Sequence, residues 1–557
     1  MSRWQWRGST LVLLVVLAMT AAACSGGSDA SSTTAAPDQD GQASVTTQTT
    51  TPGDEGAATE RPSLVVQMAA LGTEALDPNL GQLDDKPWTR LMYSYLFDTD
   101  RTDRELSDAA GVAESYEWNA DQTELTVHLR EGVLFHTGAE MTAEDVKFSL
   151  ERNTNAESLS VNAALVGGQI SSIEVLGDYE LRITLTAPSL TLIPLLSPVI
   201  GGTEGHIYPK AYFEEVGEEG FRQAPVGSGP FSLGSREVGS FMEFVAFDDY
   251  FLGEPALDAI RFEIVPEKTT RIANLQAGQA DIVEVARDDA ATLEAEGFGT
   301  FQDEGGDTIG IFPLAWEDAL PDNPLSDPRV REALFISINR EEINEFLLQG
   351  LGELTSSWIG GERALGGQPI DPYPYDPDRA AALLTEAGYA AGELTIKLYV
   401  SLKAGLPEAE DMALAMAADW ERVGVTAEVI AQDFGTLIPQ LTDRTIEHPA
   451  VWFNSLSLRP IWGPVSNLYF NCPVPRYGSC EDDSWAILES LATATSLEEY
   501  GETQQAFAEA LRDNFQFDTL ALVGRVFAAN EQVPDWRTGI TPFDLNFRYL
   551  GLAGLLD

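Results

Sequence analysis

The sequence predicts an α/β fold built from more than one domain. Two observations carry this expectation. The 557 residues exceed what one hydrophobic core normally serves, and the second half alternates strand and helix patterns in strand–helix–strand order. The hydrophobic fraction of 44% is that of an ordinary globular protein, and no internal apolar run is long enough to span a bilayer.

Taken in order, ordered structure begins at Leu64-Val65-Val66, a short buried-strand pattern. Leu125, Val127 and Leu129 alternate with polar residues as a half-buried strand does. A helix follows, with Thr142 as cap, Asp145 in its first turn, and Val146 and Leu150 on one face. Gly227, Gly229 and Pro230 read as a turn between chain crossings. Asp327-Pro328 and Asp376-Pro377 each open a helix with a cap and a proline at its first position, and Gly388 ends the second. Leu394, Ile396, Leu398 and Val400 alternate as a strand. Ala409, Met412, Ala413, Met416, Ala417 and Trp420 fall at helical spacing up to Gly424, and Val425, Ala427 and Val429 form the next strand. Ser496-x-x-Glu499 is a capping box ahead of a face made by Leu497, Tyr500, Phe507 and Leu511. The Met and Trp residues of these helices read as core.

The N-terminus carries an address. Arg3 and Arg7 precede the apolar run from Leu11 to Met19, and Ala21-Ala22-Ala23 leads directly into Cys24. This is the order of a secretory signal. Small residues before a Cys resemble the lipobox of bacterial lipoproteins, with Ala21 where Leu is commonest. The resemblance implies cleavage at Cys24 and lipidation of its sulfur; ordinary cleavage with a free thiol is the alternative. Two acyl chains suffice for stable anchoring. Residues 25–60 are Ser, Thr, Gly, Ala, Gln and acids with almost no large apolar side chain, the composition of a flexible tether. An exported chain meets oxidising conditions, so Cys472 and Cys480 are expected to close their short loop as a disulfide, which would stabilise by roughly 2–3 kcal/mol.

Charge excludes one broad class. With 33 Lys plus Arg against 88 Asp plus Glu, the net charge is -55, which repels nucleic-acid phosphates. It says nothing of the solute's sign; a solvated acidic surface accounts for it.

The stretch from Leu125 to Ser149, LTVHLREGVLFHTGAEMTAEDVKFS, closely resembles the signature of the family 5 extracellular solute-binding proteins, the peptide/nickel group of ABC importers. Leu76-Asp77-Pro78, Ala113 to Trp118, Val226 to Phe231, Arg271 to Asp281, Asp327 to Leu334 with Ile338 to Arg340, and Tyr375-Asp376-Pro377 with Ala387-Gly388-Tyr389 resemble further landmarks in the family's order. Together they span roughly 62–550. The resemblance implies a bilobal periplasmic-binding-protein fold with an extra inserted domain and a hinge between lobes. It places domain I in 61–96, 191–275 and 526–557, domain II in 97–190 and domain III in 276–525. It implies a chain that captures a peptide-like or other small solute between lobes, as a monomer held by lipid on the outer face of the cytoplasmic membrane, and delivers it to ABC permease subunits. The alternative is a ligand sensor signalling to a receptor without import; a surface hydrolase is the third reading.

Catalytic motifs are missing from the sequence: neither HExxH, nor a P-loop, nor G-x-S-x-G occurs. The four His are scattered at 128, 136, 206 and 448, and His136 reads as packed or hydrogen-bonded. Asp98, Asp100 and Asp103 fail as a calcium loop, since Asp103 stands where Gly is needed and Ala109 where Glu is needed. No catalytic residue, cofactor or metal is therefore expected. In peptide-binding relatives an Asp binds the peptide's amino terminus; the matching segment, Phe453 to Pro460, places Leu456 there. The candidate contacts are the aromatics Trp88, Trp316, Trp358, Phe453 and Trp462, each of which can equally be core, with Asn454, Ser455 and Arg459. Arg459 would pair with a ligand carboxylate or phosphate, or with one of the chain's many acids.

Overall fold

The computed structural model describes residues 61–531 and 533, apart from 82–84, 100–105, 108–109, 161, 200–201, 303–305, 317–319, 321, 403–405, 459–460, 471, 473–476, 478 and 480. The chain divides into two compact units, Met1–Thr59 and Glu60–Asp557, and every described residue belongs to the second. Cys24 and the tether lie outside the described residues, as do Arg459 and Cys480.

Three larger sheets organise the described residues. The first has seven strands, ordered Gly299–Gln302, Val526–Ala529, Ile282–Val285, Ser63–Met68, Ala259–Ile264, Phe241–Ala246 and Phe231–Glu237. Its centre is parallel: Val66 pairs with Phe262 on one side and with Ile282 on the other. The apolar side chains of Leu64, Val66 and Met68 are buried with Phe244, Ile260 and Phe262. The second sheet has five strands, ordered Val425–Asp433, Leu394–Leu402, Ala450–Ser457, Asp307–Leu314 and Asp518–Val523. The expected strand–helix–strand unit lies here: 394–402 runs parallel to 425–433, and the helix Ala409–Arg422 between them buries Met412, Met416 and Trp420. The third sheet is antiparallel and is drawn from Ala113–Trp118, Glu124–Leu129, Glu180–Leu185 and Ile170–Gly177.

Local chemistry explains the element ends. Asp327 accepts from Arg329 N at 2.9 Å and Asp376 from Arg379 N at 2.9 Å, each opening a helix whose first residue is proline. Ser496 Oγ accepts from Glu499 N at 3.1 Å, but the Glu499 carboxylate accepts from Thr495 N and Oγ1, both at 2.7 Å, one residue before the position a capping box uses. Tyr500, Phe507 and Leu511 are buried as expected, whereas Leu497, in the helix's first turn, is exposed.

Gly227 and Gly229 are needed for close approach. A Cβ at 227 would stand 2.0 Å from the Met92 carbonyl oxygen, and one at 229 would stand 2.3 Å from that of Leu91. The same passage fixes His136. Its Nδ1 accepts from Gly227 N at 3.3 Å and its Nε2 donates to Gly229 O at 3.0 Å, so the ring is neutral with its proton on Nε2. Burial lowers its pKa to about 4, against a smaller opposing effect of the Gly229 carbonyl. The unfolded chain therefore takes up a proton as pH falls below about 6.5 while the folded chain does not, and stability declines from there toward pH 4. The loss is expected to reach at most about 3 kcal/mol. Thermal melts at pH 7, 5.5 and 4.5 should converge between wild type and His136→Gln as pH falls; parallel curves would contradict this assignment.

The chain leaves the seven-stranded sheet after Gln302, enters the five-stranded sheet at Asp307, and returns between Val523 and Val526. The two passages are adjacent, because Gln302 pairs with Val526 in one sheet and Asp307 with Val523 in the other. Gly306 has φ +33°, and a Cβ there would stand 2.5 Å from the Val523 carbonyl oxygen. A two-stranded ribbon narrowed by Gly306 and Gly524 is the geometry of a hinge. Strands 282–285 and 299–302 lie on the seven-stranded side of it, beyond the boundary expected at 275/276.

Candidate functional site

A cavity of about 690 Å³ opens beside this ribbon, between the two sheets' modules. Ala69 and Ala70 follow the 63–68 strand, Glu284 to Asp288 end the 282–285 strand, and Pro266 to Arg271 follow the 259–264 strand. The facing wall is Phe346, Leu347 and Gln349 with Pro407, Glu408 and Asp411. The carboxyl ends of parallel strands, where backbone groups and helix starts converge, are the usual place for a ligand in an open α/β sheet. One buried charge bridges the walls. Arg287, 4% exposed, donates to Glu408 Oε2 at 2.8 Å and to the Gly524 carbonyl at 2.7 Å. Lys268 is held charged by its bonds to Asp289 and Asp288. Arg271 spends its guanidinium on the carbonyls of Val265, Pro266 and Glu284, and burial lowers its pKa. Of these residues only Arg271 stood out in the sequence, as the start of a family landmark; for the others the signal available was their place at strand-to-helix junctions.

The expected contacts divide between faces. On strand 450–457, Trp452, Asn454 and Leu456 share one face by the two-residue period, and Phe453 and Ser455 share the other. Phe453 packs with the helix-covered core around Leu334 and Met412. The opposite face is aromatic. Trp358 stands 4.9 Å from Trp462 and 4.8 Å from Phe517, and Phe312 stands 5.0 Å from Trp452. Trp358 Nε1 donates to Ser466 Oγ at 2.8 Å and Trp452 Nε1 to Ser401 Oγ at 2.8 Å. Trp316 lies at the end of the same sheet, with the Arg444 guanidinium 5.1 Å from its ring centre and His448 at 5.2 Å. Trp88 is separate, buried under the seven-stranded sheet against Phe262 at 6.1 Å. The structure thus brings Trp358, Trp462 and Asn454 to one face and leaves Trp88, Phe453 and Ser455 elsewhere.

Asn454 is the chemical exception on the aromatic face. It is 1% exposed, and both its amide nitrogen and its amide oxygen lack a hydrogen-bond partner among the described residues. Each unpaired buried group of this kind costs about 1–3 kcal/mol. Leu456, two residues on, is buried and places no carboxylate beside it.

Residues 109–457 match the family described as Bacterial extracellular solute-binding proteins, family 5 Middle. The chain belongs to that family. Its members are extracytoplasmic solute-binding transport proteins. Among curated relatives, this family 5 protein is 29% identical over 343 residues to heme-binding protein A of Haemophilus influenzae, covering 58% of this chain and 62% of that one. It is 28% identical over 362 residues to the dipeptide-binding protein of Escherichia coli, covering 61% and 66%. The matches thus span a little under two thirds of those relatives' length. Among solved structures, NikA of Brucella suis in complex with Fe(III)-EDTA superposes with a TM-score of 0.74 at 20% identity, covering 87% of this chain and 99% of that one. HbpA2 of Haemophilus parasuis superposes with a TM-score of 0.72 at 22% identity, covering 86% and 98%. The fold is the bilobal one of periplasmic binding proteins. No helix among the described residues is long and apolar enough to cross a membrane.

Proposed function

We propose that this family 5 protein is the lipid-anchored solute-binding component of an ABC importer, capturing a small solute between its lobes and delivering it to a membrane permease. The observation that carries the reading is the cavity beside the two-stranded ribbon, walled on one side by strand ends of the seven-stranded sheet and on the other by the five-stranded module. Solute that contacts both walls binds the closed form better than the open one, and that difference drives closure. The lobes are 61–96 with 191–302 and 526–557, and 306–524; residues 97–190 are the insertion. Cys24 carries the lipid, and Cys480 is the partner of Cys472.

Relatives whose names specify dipeptides or heme show how far ligands diverge in the family. In this chain Leu456 offers no charge to a peptide ammonium. The solute, peptide-like or other, is engaged by Phe346 and the charged side chains of the two walls, among them Lys268 and Glu408; the aromatic face and the Asn454 amide line no part of that cavity, and an Arg459 side chain reaching it would take a ligand carboxylate or phosphate.

Native mass spectrometry of the gently purified body tests this. A small molecule should ride on the wild-type protein, be released by mild denaturation, and be lost from Phe346→Asp, a change in the wall of that cavity. Protein that carries nothing and shows no thermal shift with peptides, sugars or chelates would defeat the reading.

A further inference from the structure

A second, larger cavity lies away from the hinge. Its volume is about 900 Å³, and it shares no lining residue with the cavity beside the ribbon. One wall is the antiparallel four-stranded module: the turn at Asp121 and Gln122, and the segment from Ala187 to Thr191 after its 180–185 strand. The other wall comes from the helices Gly463–Phe470 and Asp482–Ser490, continued through Thr495 to Tyr500.

We propose that this cavity is a second small-molecule site, for an uncharged polyhydroxylated ring of mono- or disaccharide size. Three features select that chemistry. The first is an aromatic platform: the half-buried Trp485 packs against the aromatic core and also lines the cavity, so its indole sits between the two. The C–H face of a sugar ring stacks on such a surface. The second is free polar capacity on more than one element. Among the described residues the Trp485 indole N–H, the Glu489 carboxylate and the Asp121 carboxylate have no hydrogen-bond partner, and the Asn467 amide nitrogen donates to Gly463 O at 3.2 Å while its oxygen is left over. Carboxylates and amides accept from paired hydroxyls. The third is charge: among the described residues no Lys, Arg or His lines the cavity, so none of them compensates a ligand phosphate or carboxylate. The volume falls within the range of small-molecule pockets, roughly 300–1,000 Å³.

The test is titration calorimetry of the mature soluble body with maltose and cellobiose, with choline as the cationic control. Saturable binding of a disaccharide is expected, weakened roughly tenfold or more in Glu489→Gln and Asn467→Ala. Both residues are exposed, so these variants should fold as wild type; Trp485→Ala should weaken binding further. Glu408→Gln, in the other cavity, should leave disaccharide affinity unchanged. Loss of binding in Glu408→Gln with retention in Glu489→Gln and Asn467→Ala would place the sugar at the hinge and overturn the proposal. Binding of choline alone, or of none of the three, would overturn it as well.

Discussion

Replacing Asp77 with alanine will destabilise the folded protein by about 3–5 kcal/mol, because it strands a buried arginine. Asp77, 1% exposed, accepts from Nη1 and Nη2 of the Arg152 guanidinium, both at 2.7 Å. Burial is the strongest influence and works against the Arg152 charge, but the bond to Asp77, the Asp77 charge and the Tyr208 hydroxyl together more than offset it, raising its pKa. The guanidinium also lies 4.5 Å from the Phe213 ring centre, so it cannot leave for water without opening that packing. With Asp77 gone, the remaining partners are the Tyr208 hydroxyl at 3.2 Å and the half-exposed Glu218 at 3.6 Å. Asp77 additionally caps the turn at Pro78–Leu80 through Asn79 N at 3.1 Å. Urea denaturation is the measurement. Asp77→Ala with Arg152→Met should recover most of the loss, since the penalty belongs to the unpaired charge. A single variant within about 1 kcal/mol of wild type would show that the pair contributes no more than a surface bridge.

A comparable loss, again about 3–5 kcal/mol, is expected for Arg340→Met, and it should depend on pH. Asp518 is fully buried; its carboxylate takes a bond from Arg340 Nη2 and another from Ser356 Oγ at 2.9 Å. Arg340 also donates to the carbonyls of Phe335 at 2.9 Å and Ile338 at 3.2 Å. Burial already raises the Asp518 pKa, with Arg340 pulling the other way. Removing Arg340 lets the raise grow. The folded variant then holds a proton that the unfolded chain releases above its ordinary carboxyl pKa, so stability falls as pH rises through that window. The deficit should be largest near pH 7 and shrink toward pH 4. Asp518→Asn in the Arg340→Met background should abolish that pH dependence; a deficit equal at both pH values would refute the assignment.

Much of the local structure was legible because its causes lie within a few residues. Asp327-Pro328, Asp376-Pro377 and Ser496 each announce a helix start, and each caps one. The alternation at Leu125, Val127 and Leu129 marks the buried face of its strand. The landmark residues were harder to interpret. Gly227 and Gly229 read as a turn, and their requirement comes from the Leu91 and Met92 carbonyls more than a hundred positions away in sequence. The aromatics could not be sorted into core and site, because Phe453 and Asn454 differ only in which face of one strand they occupy, and the sheet decides what covers each face.

The sequence by itself determined where helices and strands begin, which faces are apolar, the family, and the absence of recognisable catalytic motifs. Those depend on capping, periodicity and short motifs, whose interactions are local. Only the tertiary structure decided that strand 63–68 lies between 259–264 and 282–285, that Arg287 meets Glu408 across the hinge, and that Asn454 is left without a partner on an aromatic face. Each of these joins segments distant in the chain. Such pairings depend on how the sheets assemble, and a strand's own residues specify its faces without naming its neighbours.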